Sequence, residues 1–224
     1  MNIVFCGYRD WAINIIEEVK NHDLIESFHI IKSKEEFDVQ IPKLTNKIDF
    51  IILLGWSWII ADNITKKYKC IGIHPSDLPN FRGGSPLQHQ IIKGVTKTKI
   101  SLISISKKID GGDIWLKEDF SLEGNNIKAI FKNLEKSSII LLNTFLNNKG
   151  KMQKQKQNLA QGSFYKRRTP KESRIELSDF SNNSLIEMYN FIRALTDPYP
   201  NAYLEDEKGN KLLFKDVEYI PNQS

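Results

Sequence analysis

The run Asp49-Phe50-Ile51-Ile52-Leu53-Leu54-Gly55 has no polar side chain between its ends. A strand with one wet face alternates polar and apolar residues. An unbroken apolar run of this length reads instead as a central strand buried on both faces, the habit of a parallel sheet covered by helices on each side. Such a sheet requires strands alternating with helices, and the neighbouring sequence supplies them. Asn2–Cys6 reads as a strand, and Trp11–Lys20 as a helix with Trp11, Ile15, Ile16 and Val19 at helical spacing. Ser27–Lys32 reads as a second strand, Asp38–Lys47 as a connection or short helix, and Cys70–Ile73 as a short buried strand. Pro86–Lys93 reads as a short helix that starts at proline and stops at Gly94. Lys99–Ser106 and Asp113–Leu122 form a strand pair, and Asn126–Asn147 is the longest helical pattern, with Ile127, Ile130, Phe131, Leu134, Leu141, Leu142 and Phe145 on one face. The alternation predicts an α/β, doubly wound, mostly parallel sheet over residues 1–148.

A chain of 224 residues buries a substantial core as one domain with a small appendix. The appendix, residues 149–224, begins with a polar, basic stretch over Lys149–Leu159 that reads as a solvated linker. A helix over Ser184–Ala194, a proline-fixed loop at Thr196–Asn201 and a closing hairpin from Ala202–Glu205 and Lys211–Tyr219 follow, making a small substrate-binding or dimerisation region. The net charge of +5 is mild and its lysines are scattered, with crowding only at Lys149–Lys156 and Lys166–Arg174. That pattern suits an anionic small substrate better than a nucleic-acid partner, which calls for a denser basic face. Cys6 and Cys70 sit in apolar runs, as reduced buried thiols do, and no His/Cys spacing suggests a metal. The N-terminus has no signal-peptide pattern, and no apolar run approaches the roughly 20 residues that span a bilayer. A cytoplasmic location with no membrane partner is expected.

The chemistry concentrates in CIGIHPSDLPNFRGGSP (Cys70–Pro86), where a buried strand delivers His74 to a loop stiffened by Pro75, Pro79, Gly83, Gly84 and Pro86. Ligands of open α/β sheets sit beyond the carboxyl ends of the strands. His74 is there either as a satisfied structural residue or as a proton acceptor. The turn Ile109-Asp110-Gly111-Gly112-Asp113 places a carboxylate after another strand, and by itself is only a hairpin signal. Trp56 and Trp58, just past the central strand, are either packing residues or the wall of a pocket for a flat heterocycle. The cationic stretch Phe164–Arg174 is either a solvated face or an arginine fork for phosphate. Gly7-Tyr8-Arg9-Asp10 follows the first strand as a turn without the G-x-G-x-x-G phosphate loop, so no dinucleotide is expected.

Taken together, IHPSDLPNFRGGSPLQ (Ile73–Gln88), IDGGDI (Ile109–Ile114), RRTPKESRI and RALTDPYPNAY resemble the formyltransferase family that uses 10-formyltetrahydrofolate, and the likeness runs over nearly the whole chain. The later two segments look like the nucleotide-sugar N-formyltransferases. The resemblance implies His74 and Asp110 as catalytic residues, with His74 taking the proton shed by the attacking amine and Asp110 orienting it. It implies a folate donor, with no metal, near Trp56, Ser57, Trp58, Ile59, Asp110 and Asp113. It implies a nucleotide-linked deoxyamino sugar held by Ser76, Arg82, Gly83, Gly84, Ser85, Gln88, Arg167, Arg168, Arg174 and Tyr199, in a homodimer. Products of this kind feed surface glycans such as O-antigen and lipopolysaccharide. Family members carry Asn two residues before the catalytic His, where this chain has Gly72. A lost amide donor in such a site costs about 2.7–4 kcal/mol of barrier, so either another donor replaces it, with Ser76, Ser85, Gln88 and an amide near Gly83-Gly84 as candidates, or the step is slower, or the protein does not catalyse. Only a short region follows the long helix, unlike the tRNA-modifying members with their larger C-terminal barrel. The alternatives are formylation of methionyl-tRNA or glycinamide ribonucleotide, and a folate or nucleotide-sugar binding protein without catalysis.

Overall fold

The computed structural model describes residues 1–44 and 47–222. Thr45 and Asn46, within the expected Asp38–Lys47 connection, lie outside the described residues. In chain order the elements are β1 (Asn2–Cys6), α1 (Asp10–Val19), β2 (Ser27–Ile31), α2 (Lys34–Gln40), β3 (Phe50–Leu54), α3 (Asp62–Lys67), β4 (Cys70–His74), β5 (Arg82–Gly83) and α4 (Pro86–Ile92). They continue with β6 (Lys97–Ser104), β7 (Ile114–Ser121), α5 (Ile127–Asn147), β8 (Phe164–Tyr165), the single turn α6 (Asp179–Asn182), α7 (Leu185–Ala194), β9 (Tyr203–Glu205) and β10 (Lys211–Leu213).

Six strands form one sheet in the order β2-β1-β3-β4-β6-β7. The first four are parallel, and β6 and β7 add antiparallel edges. The apolar run is β3, buried at all five positions in the middle of the parallel part. Its side chains divide between two cores. Phe50, Ile52 and Leu54 join Ile3 and Phe5 of β1 beneath α1, α4 and α5, while Ile51 and Leu53 join Val4 and Cys6 beneath Phe37 of α2 and Tyr68. Each fully buried aliphatic side chain of this kind contributes about 1.5–3 kcal/mol, so the register of β3 is fixed from both faces. Burial pushes the Cys70 thiol up to about 12 and that of Cys6 well above its usual range, which leaves both unreactive packing groups.

The helix termini are locally encoded. Ser33 caps α2 by accepting from the Glu36 amide at 3.1 Å, Asn126 caps α5 through the Ala129 amide at 3.0 Å, and Ser184 with Glu187 forms a capping box on α7. The fold departs from the sequence reading in detail. Strand β6 spans Lys97–Ser104, not Lys99–Ser106; Ile105, just past its end, still bonds the Cys70 carbonyl of β4 at 2.8 Å. Of the closing hairpin only Tyr203–Glu205 and Lys211–Leu213 pair. The stretch Lys149–Leu159 is not wholly solvated: Gln155 pairs with Ile114 through two 2.8 Å backbone bonds. Beyond it β8 lies parallel to β5, a pairing the sequence did not signal. No helix among the described residues is long and apolar enough to cross a membrane.

Candidate active site

Strand β4 ends on His74, 6% exposed, in the crevice beyond the parallel strands. Its Nε2 lies 2.8 Å from the Phe81 carbonyl. A carbonyl only accepts, so Nε2 carries the proton and the neutral ring presents a lone pair at Nδ1. That nitrogen faces Asp110 Oδ2 at 3.5 Å. The same oxygen accepts from the Gly83 amide at 2.8 Å, which keeps the carboxylate aimed inward. A lone pair and a carboxylate facing each other repel, and a proton delivered to Nδ1 turns that contact into attraction. The ring is oriented by the Phe81 carbonyl, whereas the sequence reading gave that task to Asp110.

Backbone conformation around this pair is strained. Phe81, Ser85 and Asp110 all adopt positive φ, between 50° and 55°, without being glycine. Each such residue costs of order 1–3 kcal/mol and persists only where its surroundings over-determine it. Here the Phe81 amide is held by Ser163 Oγ at 2.9 Å, and Ser85 Oγ accepts from the Arg168 amide at 3.1 Å. Gly84 admits no side chain, since a Cβ there would lie 2.4 Å from Arg167 Cα.

At Gly72 a Cβ would meet Ile105 Cδ1 at 3.1 Å and the Leu53 carbonyl at 3.4 Å. An isoleucine side chain therefore crowds the place where the resemblance expects Asn. Among the proposed replacement donors, Ser76 is spent on the Asn80 carbonyl at 2.7 Å, the Gly83 amide on Asp110, and the Gly84 amide on the Tyr165 carbonyl at 2.9 Å. The Ser85 hydroxyl still has its proton to give, whereas the atom of buried Gln88 left without a partner is Oε1, an acceptor, and its side chain bonds the Tyr199 phenol.

The remaining expected residues fall into two groups. Trp56, Ser57 and Trp58 form an aromatic wall at the ends of β1 and β3. The Trp rings lie 4.8 Å apart, Trp58 lies 4.9 Å from Tyr8, and Tyr8 Oη meets Ser57 Oγ at 2.7 Å. Ile59 is 88% exposed beside it, and Asp113 accepts the Ser104 amide through its carbonyl at 2.9 Å. Arg82 does not face open space: its guanidinium bonds the Pro79 carbonyl at 3.2 Å and that of Leu159 at 3.0 Å. Arg168 lies over Phe191 at 5.6 Å and bonds the Glu172 carbonyl, with burial holding its pKa below the usual guanidinium range, partly offset by Glu172. Arg174 pairs with Glu176 at 2.8 Å. All three are engaged within the protein, Arg168 with its buried Nε left without a partner, whereas Arg167 has no ion pair among the described residues. Tyr199 is half-buried against Phe131 at 5.7 Å, and desolvation pushes its phenol up while Arg9, Gln88 and Arg167 pull it down. Arg9, with Tyr8 before it, reaches the same neighbourhood from the β1–α1 turn. Sequence reasoning passed over both; their position at the end of the first parallel strand was the available signal.

Residues 13–136 match the family profile described as formyl transferase. A methionyl-tRNA formyltransferase of Rickettsia massiliae is 30% identical over 154 residues, 55% of this chain and 51% of that protein, so the chain spans about half the length of such curated relatives. A solved structure of a methionyl-tRNA formyltransferase from Clostridium thermocellum is 31% identical with a TM-score of 0.81, over 98% of this chain and 100% of that one. A sugar N-formyltransferase from a Shewanella species shares the fold, with a TM-score of 0.77 at 17% identity over 99% of both chains.

Proposed function

The chain belongs to the formyl transferase family, and from that premise we propose that it moves a formyl group from 10-formyltetrahydrofolate to the amine of an anionic, nucleotide-linked deoxyamino sugar. The observation that carries the transfer chemistry is the His74 ring, pinned through Nε2 with Nδ1 open towards Asp110. The neutral acceptor amine attacks the formyl carbon, forming the new C–N bond. His74 Nδ1 accepts the proton the nitrogen sheds, and Asp110 stabilises the imidazolium. As the bond from the formyl carbon to N10 of the folate breaks, that proton passes to N10, leaving tetrahydrofolate, the formamide and a neutral His74. A positioned general base of this kind supplies roughly 10²–10⁴-fold. Charge developing on the formyl oxygen is met by the Ser85 hydroxyl, whose proton is uncommitted.

The donor fits the aromatic wall of Tyr8, Trp56 and Trp58, where the buried Trp56 Nε1 has no partner of its own. The acceptor's anionic part fits Arg9 and Arg167, neither in an ion pair among the described residues and both lowering the pKa of the Tyr199 phenol by their charge. A guanidinium pair of that kind suits a phosphate or diphosphate. A second reading, methionyl-tRNA as acceptor, is favoured by the names of the relatives that are about 30% identical to this chain over the matched residues.

The two readings separate in one assay. The protein is incubated with 10-formyltetrahydrofolate and, in parallel, a panel of uridine- and thymidine-diphosphate amino sugars and methionyl-tRNA, and products are weighed by mass spectrometry. One formyl group gained by an amino sugar supports the proposal. Formylation confined to the tRNA replaces it with the second reading.

A further inference from the structure

The segment from Gln155 to Tyr165 is stitched to both loops of the site at once. Towards the His74 side, the Ser163 carbonyl accepts from the Arg82 amide at 3.0 Å, Ser163 Oγ accepts from the Phe81 amide at 2.9 Å, and the Tyr165 carbonyl accepts from the Gly84 amide at 2.9 Å. Towards the Asp110 side, Gln155 pairs with Ile114, and Gln157 Nε2 donates to the carbonyls of Asp110 at 2.8 Å and Gly112 at 2.7 Å.

The Gln157 contact is the more specific of these. The turn's own bonds, from the Gly111 amide to the Lys108 carbonyl at 3.0 Å and from Ser106 Oγ to the same carbonyl at 3.1 Å, do not reach Asp110. Asp110 sits at φ 50°, in the left-handed region that Asp tolerates better than most non-glycine residues but still at a cost, so a hold on its backbone matters. Gly112 is pressed onto β6 so closely that a Cβ would lie 1.8 Å from the Ser104 carbonyl oxygen. One amide with two N–H groups bridges the two carbonyls on either side of Gly111. Because both partners are acceptors, the amide has only one workable orientation.

We propose that Gln157 is a positioning residue: it locks the backbone of Asp110 so that the carboxylate is delivered against His74 Nδ1 and the Gly83 amide. Its catalytic consequence rests on reading His74 and Asp110 as the reacting pair. Its structural content does not.

The test therefore has two arms, made on the full chain with Gln157→Ala and the isosteric Gln157→Glu, which sets an oxygen against the two carbonyls. In the first arm, amide hydrogen exchange is followed residue by residue. Protection of the Gly83 amide, which donates to Asp110, falls by about tenfold or more, while that of Gly84, held by Tyr165, and of β3 stays unchanged. Unchanged protection at Gly83 overturns the proposal, as does equal loss at Gly84 and Gly83, which would make Gln157 a general fastener. In the second arm, formyl transfer from 10-formyltetrahydrofolate is measured on the acceptor found in the panel. Gln157→Ala lowers kcat about tenfold with both KM values unchanged, and adds nothing further in the Asp110→Asn background, because it acts through Asp110. An equal, additive loss in that background refutes the positioning role. Full turnover in Asp110→Asn itself would overturn the catalytic reading instead, with the exchange arm still deciding whether Gln157 holds the loop.

Discussion

The two cores of the sheet and the two loops of the site are built by opposite means. In the sheet, β1, β3 and β4 are specified by unbroken apolar runs, and every residue of β3 finds its layer through side-chain alternation alone. In the site, Phe81 and Asp110 hold conformations that their own side chains disfavour. They are fixed by Ser163 and Gln157, 82 and 47 positions further along the chain. The contrast teaches that local pattern sets the scaffold, while a few long-range hydrogen bonds set the chemistry. Stability and activity should then respond to different residues.

The sharpest break between them is His74→Ala. Turnover falls roughly 10²–10⁴-fold, while the melting temperature and the affinity for 10-formyltetrahydrofolate are nearly unchanged. A comparable loss of donor binding in a calorimetric titration would return His74 to the scaffold. Ile52→Ala is the mirror experiment: removal of a fully buried side chain from the central strand costs about 2–5 kcal/mol in denaturant unfolding, with kcat per folded molecule preserved.

Gly72 sits where the two regimes meet. Gly72→Asn alone presses on Ile105 and is expected to lose about 1–3 kcal/mol of stability to overpacking. Combined with Ile105→Ala, which vacates the space, it recovers stability and raises kcat by up to about 10²-fold, the value of one added donor to the formyl oxygen. An unaltered kcat in the stable double variant means the Ser85 hydroxyl already does that work. The smallest effect is predicted outside the reacting pair. Arg9→Ala and Arg167→Ala each raise the acceptor KM about tenfold, the scale of one charge-assisted contact, and leave kcat in place. Unchanged KM values would detach this guanidinium pair from the acceptor.

Legibility in the sequence follows the same division. The sheet, the long helix and the position of His74 at a strand end were readable because periodicity and strand-end topology are local properties. Asp110 became readable only jointly with His74 through the family resemblance, since a glycine turn after a strand is an ordinary hairpin signal. Arg82 and Arg168 looked like substrate ligands by residue type. Yet Arg82 fastens its loop to Leu159, and Arg168 covers Phe191. Neither contact has a sequence signature. Gln157 lay inside a basic, polar stretch that reads as a linker, because hydrogen bonding by one amide to two distant carbonyls leaves no periodic trace. Arg9 was hidden by the absence of a phosphate-loop pattern around it.

The most direct measurement of the central claim is the ring nitrogen-15 spectrum of His74 in its neutral form, assigned among the four histidines by loss of its signals in His74→Ala. The Phe81 carbonyl requires the tautomer protonated at Nε2, with Nδ1 as the bare acceptor facing Asp110. The opposite tautomer, protonated at Nδ1 and bonded to Asp110, would contradict the account, for the site would then hold its proton before any amine arrived.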